Sequence, residues 1–298
     1  MEIFGIDISH HQGNFDVKNA KNQGVKYVII RAGYTGSLIR SLAIDSKYER
    51  NYKLCKDLNI PVGVYWYSRA TSYDLGMKEA KYLYEKCLIN KQFEYPIYID
   101  VEDTKYQAKA SKEEVTEAIK GFCDYLEKKG YYVGIYGSDI STFKQMVNME
   151  ELTKYDFWVA RYGSKPTYVT KYGMWQFSST NGKVKGAGDK LDLDYAYKDY
   201  PTIIKKAGLN GYKKQEATQK PSNSSSNGSN SSKTTKYYKI YTGKSNSLVN
   251  ALSYLNIDSS FKYRTKIAKT NGIKLYLGTA KQNTKLLNLL KQGKLLKP

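Results

Sequence analysis

From residue 2 to about residue 212 the chain alternates short apolar runs with longer amphipathic stretches. Runs of six to eight residues rich in Val, Ile and Tyr fall at 2–9, 27–32, 62–68, 96–102, 132–137 and 157–162, and each reads as a β-strand. Apolar residues at helical spacing recur at 16–23, 45–58, 73–90, 112–129 and 139–147, with Gly24, Pro61 and Gly130 at the joints. Strands and helices alternating at this spacing predict a parallel sheet with crossover helices. After residue 162 the rhythm changes, and two further strand-like runs, 172–177 and 190–197, follow without a helix between them. Eight strands with about five helices predict an α/β fold, a modified β/α barrel with an incomplete helical ring. An open doubly wound sheet would need a Gly-rich, phosphate-binding βα turn, and the sequence has none.

The alternation stops at a Ser/Asn/Gly-rich stretch, 216–235, whose only apolar residue is one alanine. Such a segment cannot bury a core and reads as a flexible linker. Beyond it the apolar pattern resumes as a short strand at 237–241 and three amphipathic helices near 246–255, 261–270 and 280–292. The predicted organisation is a barrel over 1–212, a linker over 213–235 and a small, mostly helical module over 236–298.

Charge sharpens this division. The net charge is +20, yet residues 213–298 hold 17 Lys and Arg against 2 acids, a net of +15, and residues 1–212 only +5. A basic tail implies a polyanionic partner: nucleic acid, anionic lipid or an anionic wall polymer. Nucleic acid fits poorly, because residues 236–298 carry 12 Lys with Arg264 as the lone arginine and lack aromatic stacking platforms. No apolar run approaches the length of a membrane span. The N-terminal MEIFGIDISH has neither the basic nor the apolar region of a signal peptide, so synthesis in a cytoplasm and another route of export are expected. Cys55, Cys87 and Cys123 fall in amphipathic helices without metal-ligand spacing and read as packed, reduced thiols.

The candidate chemistry lies on the strands. In PIYIDVED the period of two puts Tyr98, Asp100 and Glu102 on one face and Ile97, Ile99 and Val101 on the other. The apolar face would pack against helices, leaving the two carboxylates to the barrel mouth, where functional groups of such barrels gather. The first strand repeats the pattern, with Gly5, Asp7 and Ser9 opposite Phe4, Ile6 and Ile8. The last does so again, with Asp192 and Asp194 opposite Leu191 and Leu193. Any one such acid could be a solvated or capping group, but three strands aiming acids at one rim point to a site. Crowded acids repel, so one should stay protonated near neutrality, as a general acid for glycoside cleavage requires. An oxygen-only cluster would also suit Mg²⁺ or Ca²⁺. A zinc site would want histidines, and the two present, His10 and His11, are adjacent and would face opposite ways on a strand. No metal and no cofactor are expected. Tyr65, Tyr67, Tyr136, Tyr162, Trp175 and Gln176 lie near strand ends as candidate sugar-binding side chains, while Trp66 and Trp158 read as core aromatics.

The runs GIDISHHQG (5–13), VIIRAGY (28–34), PVGVYWYS (61–68), PIYIDVED (96–103), GIYGS (134–138), WVARYG (158–163), MWQFSS (174–179) and LDLDYAY (191–197) together resemble the family 25 glycoside hydrolases, the muramidase-type lysozymes of phages and bacteria. The resemblance implies cleavage of the β-1,4 bond between N-acetylmuramic acid and N-acetylglucosamine in peptidoglycan. It makes Glu102 the general acid and Asp100 its partner, with Asp7 and Asp192 completing the rim. Two positions depart from the family pattern: Asp194 stands where an asparagine is usual, and Trp66 where histidine is frequent. The alternation admits either Asp192 or Asp194 as the functional acid, and Asp192 is the one expected. The tail resembles the wall-binding modules of lysins of phages that infect Gram-positive bacteria, which implies a peptidoglycan and anionic-polymer partner and no membrane insertion. Two other readings remain: a chitinase-like hexosaminidase, whose acidic signature is longer than one D-x-E, and a barrel that binds wall glycan without cleaving it.

Overall fold

The computed structural model describes residues 2–214, 237–243, 245, 247–255, 257–273 and 275–298. The chain divides into two compact units, 1–220 and 221–298. Most of the predicted linker, residues 215–235, lies outside the described residues.

The first unit is built on nine strands: β1 (Ile3–Ile8), β2 (Val28–Thr35), β3 (Leu42–Ile44), β4 (Val62–Tyr67), β5 (Ile97–Asp100), β6 (Val133–Ser138), β7 (Asp156–Ala160), β8 (Met174–Ser178) and β9 (Asp192–Ala196). Eight of them close a ring in the order β1-β2-β4-β5-β6-β7-β8-β9, with β9 returning to β1, and β3 hangs on the outer edge of β2. Neighbours from β1 round to β8 are parallel, whereas β9 is antiparallel to both β8 and β1. The open end of the ring, where the parallel strands finish, is therefore where β9 begins.

Outside the ring lie α1 (Val17–Asn22), α2 (Tyr48–Asp57), α3 (Tyr73–Leu83), α4 (Lys112–Lys128), α5 (Met149–Leu152) and α6 (Tyr200–Ala207). The longest, α4, starts where Ser111 and Glu114 satisfy each other's backbone donors in a capping box. Its Val115, Ile119, Phe122 and Leu126 join Ile97, Ile99 and Val101 in the main core. Glycines let α3 and α4 touch: a Cβ on Gly76 would sit 1.9 Å from the Ala118 carbonyl oxygen, and one on Gly121 2.0 Å from that of Tyr73. The outward residues of β1 and β9, Ile6, Ile8, Leu191 and Leu193, belong to the same core, as the alternation predicts. Cys55, Cys87 and Cys123 are buried and unpaired, and burial pushes the thiols of Cys55 and Cys87 up to about 12.

The predicted 96–102 strand is shorter, ending at Asp100, so Glu102 stands on the chain just beyond it. The predicted helix at 139–147 is a series of turns. There Thr142 bonds the Ser138 N–H through its hydroxyl oxygen (3.1 Å) and donates to the Val101 carbonyl (2.6 Å), tying the segment to the barrel. The 73–90 helix widens into a π-turn after Leu83.

In the second unit, α7 (Leu248–Tyr254), α8 (Phe261–Thr270) and α9 (Ala280–Lys291) enclose a separate core of Leu248, Leu252, Ile267, Leu286, Leu290 and Leu295. The predicted strand at 237–241 is reduced to one bridge between Tyr237 and Leu296. Among the described residues no helix is long and apolar enough to cross a membrane.

Candidate active site

The ring places Asp7, Asp100, Glu102, Asp192 and Asp194 at one end. Asp7 lies late in β1, opposite Asp192 in the β1–β9 register, and Gly5 faces Asp194. Because β9 runs down into the barrel, Asp192 is at the rim and Asp194 sits one pleat deeper. Asp7, Asp100 and Asp194 are buried, Asp192 is half-buried, and Glu102 is open to solvent.

A hydrogen-bond relay fixes the deeper groups. The Gln176 side-chain oxygen accepts from the hydroxyls of Tyr136 (2.8 Å) and Tyr162 (3.1 Å). With two donors on its oxygen, the amide must turn its nitrogen to Asp7, and Gln176 Nε2 donates to Asp7 Oδ2 at 2.8 Å. Trp158 Nε1 donates to Asp194 Oδ1 at 2.8 Å. The indole read as a core aromatic is indeed buried, but it also holds a site carboxyl. Trp66, by contrast, is buried outside the ring and gives its N–H to Thr35. Asp100 Oδ1 is buried with no hydrogen-bond partner.

All five carboxyls are shifted toward protonation, chiefly by desolvation in the crowded mouth. The charges of Asp192 and Asp194 add to the rise at Asp7, and that of Asp192 at Glu102. At Asp100 burial and Glu102 push up while Arg31 and Arg69 pull back. Burial lifts Asp192 to about 6. At Asp194 burial and the charge of Asp192 outweigh the bond from Trp158, and its Oδ2 is buried with no hydrogen-bond partner. The cluster is thus biased toward holding protons, and Glu102 is the member that combines a raised pKa with an open approach.

Among the sugar-binding candidates, Tyr136, Tyr162 and Gln176 meet in this relay. Tyr65 turns into the ring, 6.0 Å from Trp158 edge-on, and its hydroxyl is pushed up by burial and by Asp7. Tyr67 pairs with Asp100 in the β4–β5 register and lies under the Arg69 guanidinium at 4.7 Å. Trp175 does not join them inside the ring. It alternates with Met174 and Gln176, which face inward, so it points outward among Phe177 and Tyr195 and bonds the Arg161 carbonyl. His10 and His11 also depart from expectation: they form a 3₁₀ turn after β1, not strand, with rings 4.1 Å apart. Among the described residues no group of three or more His, Cys, Asp or Glu could hold a metal ion.

Sequence reasoning missed Arg31 and Arg69. Arg31 is a charge inside the otherwise apolar strand run VIIRAGY, and that anomaly was the available signal. It is buried against Asp45, bonding through Nε at 2.8 Å. Arg69 bonds buried Asp103 at 2.7 Å.

A β/α barrel with carboxyls and tyrosine hydroxyls gathered where its parallel strands end is the arrangement of acid-pair glycoside hydrolases. The chain belongs to family 25 of the glycosyl hydrolases, which its residues 6–187 match. An autolytic lysozyme of Clostridium acetobutylicum is 31% identical over 191 residues, covering 64% of this chain and 54% of that protein; the chain thus spans about half the length of this curated relative. The L-alanyl-D-glutamate peptidase of Listeria phage A118 is 53% identical over 47 residues, 16% of this chain and 17% of that one. The solved structure of the CTP1L endolysin superposes with a TM-score of 0.58 at 27% identity, over 68% of this chain and 69% of that one.

Proposed function

We propose that the protein is an endolysin-type muramidase, hydrolysing the β-1,4 bond between N-acetylmuramic acid and N-acetylglucosamine, with Glu102 as general acid. The observation that carries this is the contrast within the D-x-E pair: Glu102 open at the mouth with a raised pKa, Asp100 buried with an unpartnered oxygen. Glu102 protonates the glycosidic oxygen as the bond breaks. Asp100, pushed toward protonation by burial against the pull of Arg31 and Arg69, accepts the acetamido N–H on its unpartnered oxygen. Asp7 is held by Gln176 and completes the rim with Asp192. The mechanism uses no metal and no cofactor. Family membership and the names of the relatives, a lysozyme and an endolysin, support the reading.

Residues 236–298 act as a wall-targeting module in this proposal, joined to the 1–212 catalytic barrel through 213–235. Their net charge of +12 suits an anionic wall polymer of a Gram-positive bacterium. The protein then acts at the wall and lyses the host cell of a phage.

Mass analysis of peptidoglycan fragments tests the chemistry. Fragments ending in reducing N-acetylmuramic acid are expected, and Glu102→Gln should lower their release by about 10²–10⁴-fold. Reducing N-acetylglucosamine ends would overturn the muramidase reading. Co-sedimentation of the full chain with purified walls should fall when their anionic polymers are stripped.

A further inference from the structure

A cavity of about 380 Å³ opens beside the acids, between the ends of β1, β2 and β4, and His10, Arg31, Tyr34, Ser37, Tyr67 and Arg69 line it. It adjoins the reacting groups through the sheet itself. Tyr67 is the register partner of Asp100, and Arg31 lies two residues past Ile29, the partner of Asp7. An acid-rimmed cleft thus has a wall of the opposite chemistry.

The two guanidiniums are held in place with donors to spare. Arg31 gives Nε to Asp45 and Nη2 to His10 Nδ1. Arg69 gives Nε to Asp103 and Nη1 to the Thr35 carbonyl. Among the described residues neither Arg31 Nη1 nor Arg69 Nη2 has a protein acceptor, and neither is among the buried polar atoms lacking a partner, so both are open to solvent. Tyr34 and Tyr67 lie under the two guanidiniums, 5.4 and 4.7 Å from their ring centres, and fix their planes. Asp45 and Asp103 balance the two positive charges, so the wall offers directed N–H groups without a field that would attract any polyanion. Planar, directed donors of this kind suit a carboxylate.

We propose that this cavity is a subsite for a carboxylate on the C3 substituent of muramic acid. The inference rests on the muramidase reading above and deepens it. The two sugars of the polymer differ at C3, where muramic acid alone carries a lactyl ether. That group ends in its own carboxylate or in a peptide bearing others. The five acids would repel either anion, and the arginine wall offsets that repulsion on one side of the cleft only. The subsite thereby sets which sugar lies on the acid's reacting side.

The test is kcat/KM of the full chain on soluble glycan oligomers in two forms, with peptide stems and with the stems removed. Each form is compared before and after its carboxylates are converted to methyl amides. Conversion should lower kcat/KM by about 10–100-fold, mostly through KM, in the form whose carboxylate the cavity takes. The form affected tells lactyl from peptide carboxylate. In Arg69→Gln the loss on conversion should shrink to about threefold or less. Indifference of the unmodified protein to conversion in both forms would overturn the subsite alone, as would an undiminished loss in the variant. Failure to release reducing ends from any oligomer would overturn the muramidase reading and the subsite with it. The comparison on the unmodified protein stands even where the variant does not fold.

Discussion

The two ends of the barrel interior are filled by opposite means. At the end where the parallel strands begin, Tyr27 stacks on Tyr95 at 4.2 Å, Tyr95 meets Tyr200 at 5.2 Å, and Tyr98 meets Trp158 at 5.2 Å. Glycines make room for these rings: a Cβ on Gly5 would lie 2.3 Å from Tyr27, and one on Gly134 2.4 Å from Tyr98. At the other end the inward positions of β1, β5 and β9 carry four carboxyls, with Glu102 just beyond β5. The floor gains from packing. The mouth holds charges that burial disfavours, so it weakens the fold where it builds the chemistry. Trp158 belongs to both ends, its ring in the aromatic floor and its N–H on Asp194.

The largest expected break in this contrast is Asp100→Asn. Activity should fall by about 10²–10³-fold while the melting temperature holds or rises, because a disfavoured buried carboxyl has gone. Calorimetry beside reducing-end assays would show it, and a lost fold with retained activity per folded molecule would reverse the assignment of ends. Next comes Gly134→Ala at the floor. Overpacking against Tyr98 should cost about 1–3 kcal/mol in denaturant melts, with kcat of the folded fraction kept. The third concerns pH. The folded pKa of Asp192 is about 6 against an ordinary 3.8, so its contribution to stability is full below about 4 and is lost as pH rises through 6. Asp192→Asn should therefore gain about 1–2 kcal/mol on the parent between pH 4 and 7.5, less than the full shift because the side chain is half-buried. An equal melting difference at both pH values would refute the linkage. The smallest effect is expected from Tyr27→Phe. Its hydroxyl is buried without a partner, so removal should leave stability unchanged or raise it by up to about 1 kcal/mol.

Much of this contrast is legible from period-two patterns. The inward and outward faces of β1, β5 and β9 follow directly from the alternation of acids with Ile, Val and Leu, and so does the acid cluster. The outward direction of Trp175 is legible by the same rule, since it alternates with Gln176. The order of β9 relative to Asp7 could not be read locally, because register between the first and last strands is set by closure. Arg31 announced itself as a charge in an apolar run, but its partner Asp45 lies beyond a hairpin edge strand, β3, too short and too polar to stand out. The helix at 139–147 failed for a different reason. Its Ser and Thr side chains compete for the backbone, and a tertiary bond from Thr142 to Val101 decides the outcome. The raised pKa values also belong to the assembled cluster and to no strand alone.

The antiparallel β9 gives the barrel a timetable. Asp7 leaves a ribosome nearly two hundred residues before Asp192 and Asp194, which arrive on the strand that also seals the ring. Until then β1 has no β9 neighbour, and the acids lack the crowding that keeps a proton on them. A nascent chain thus carries half a rim and an open sheet edge, and competence appears in one step when the last strand docks.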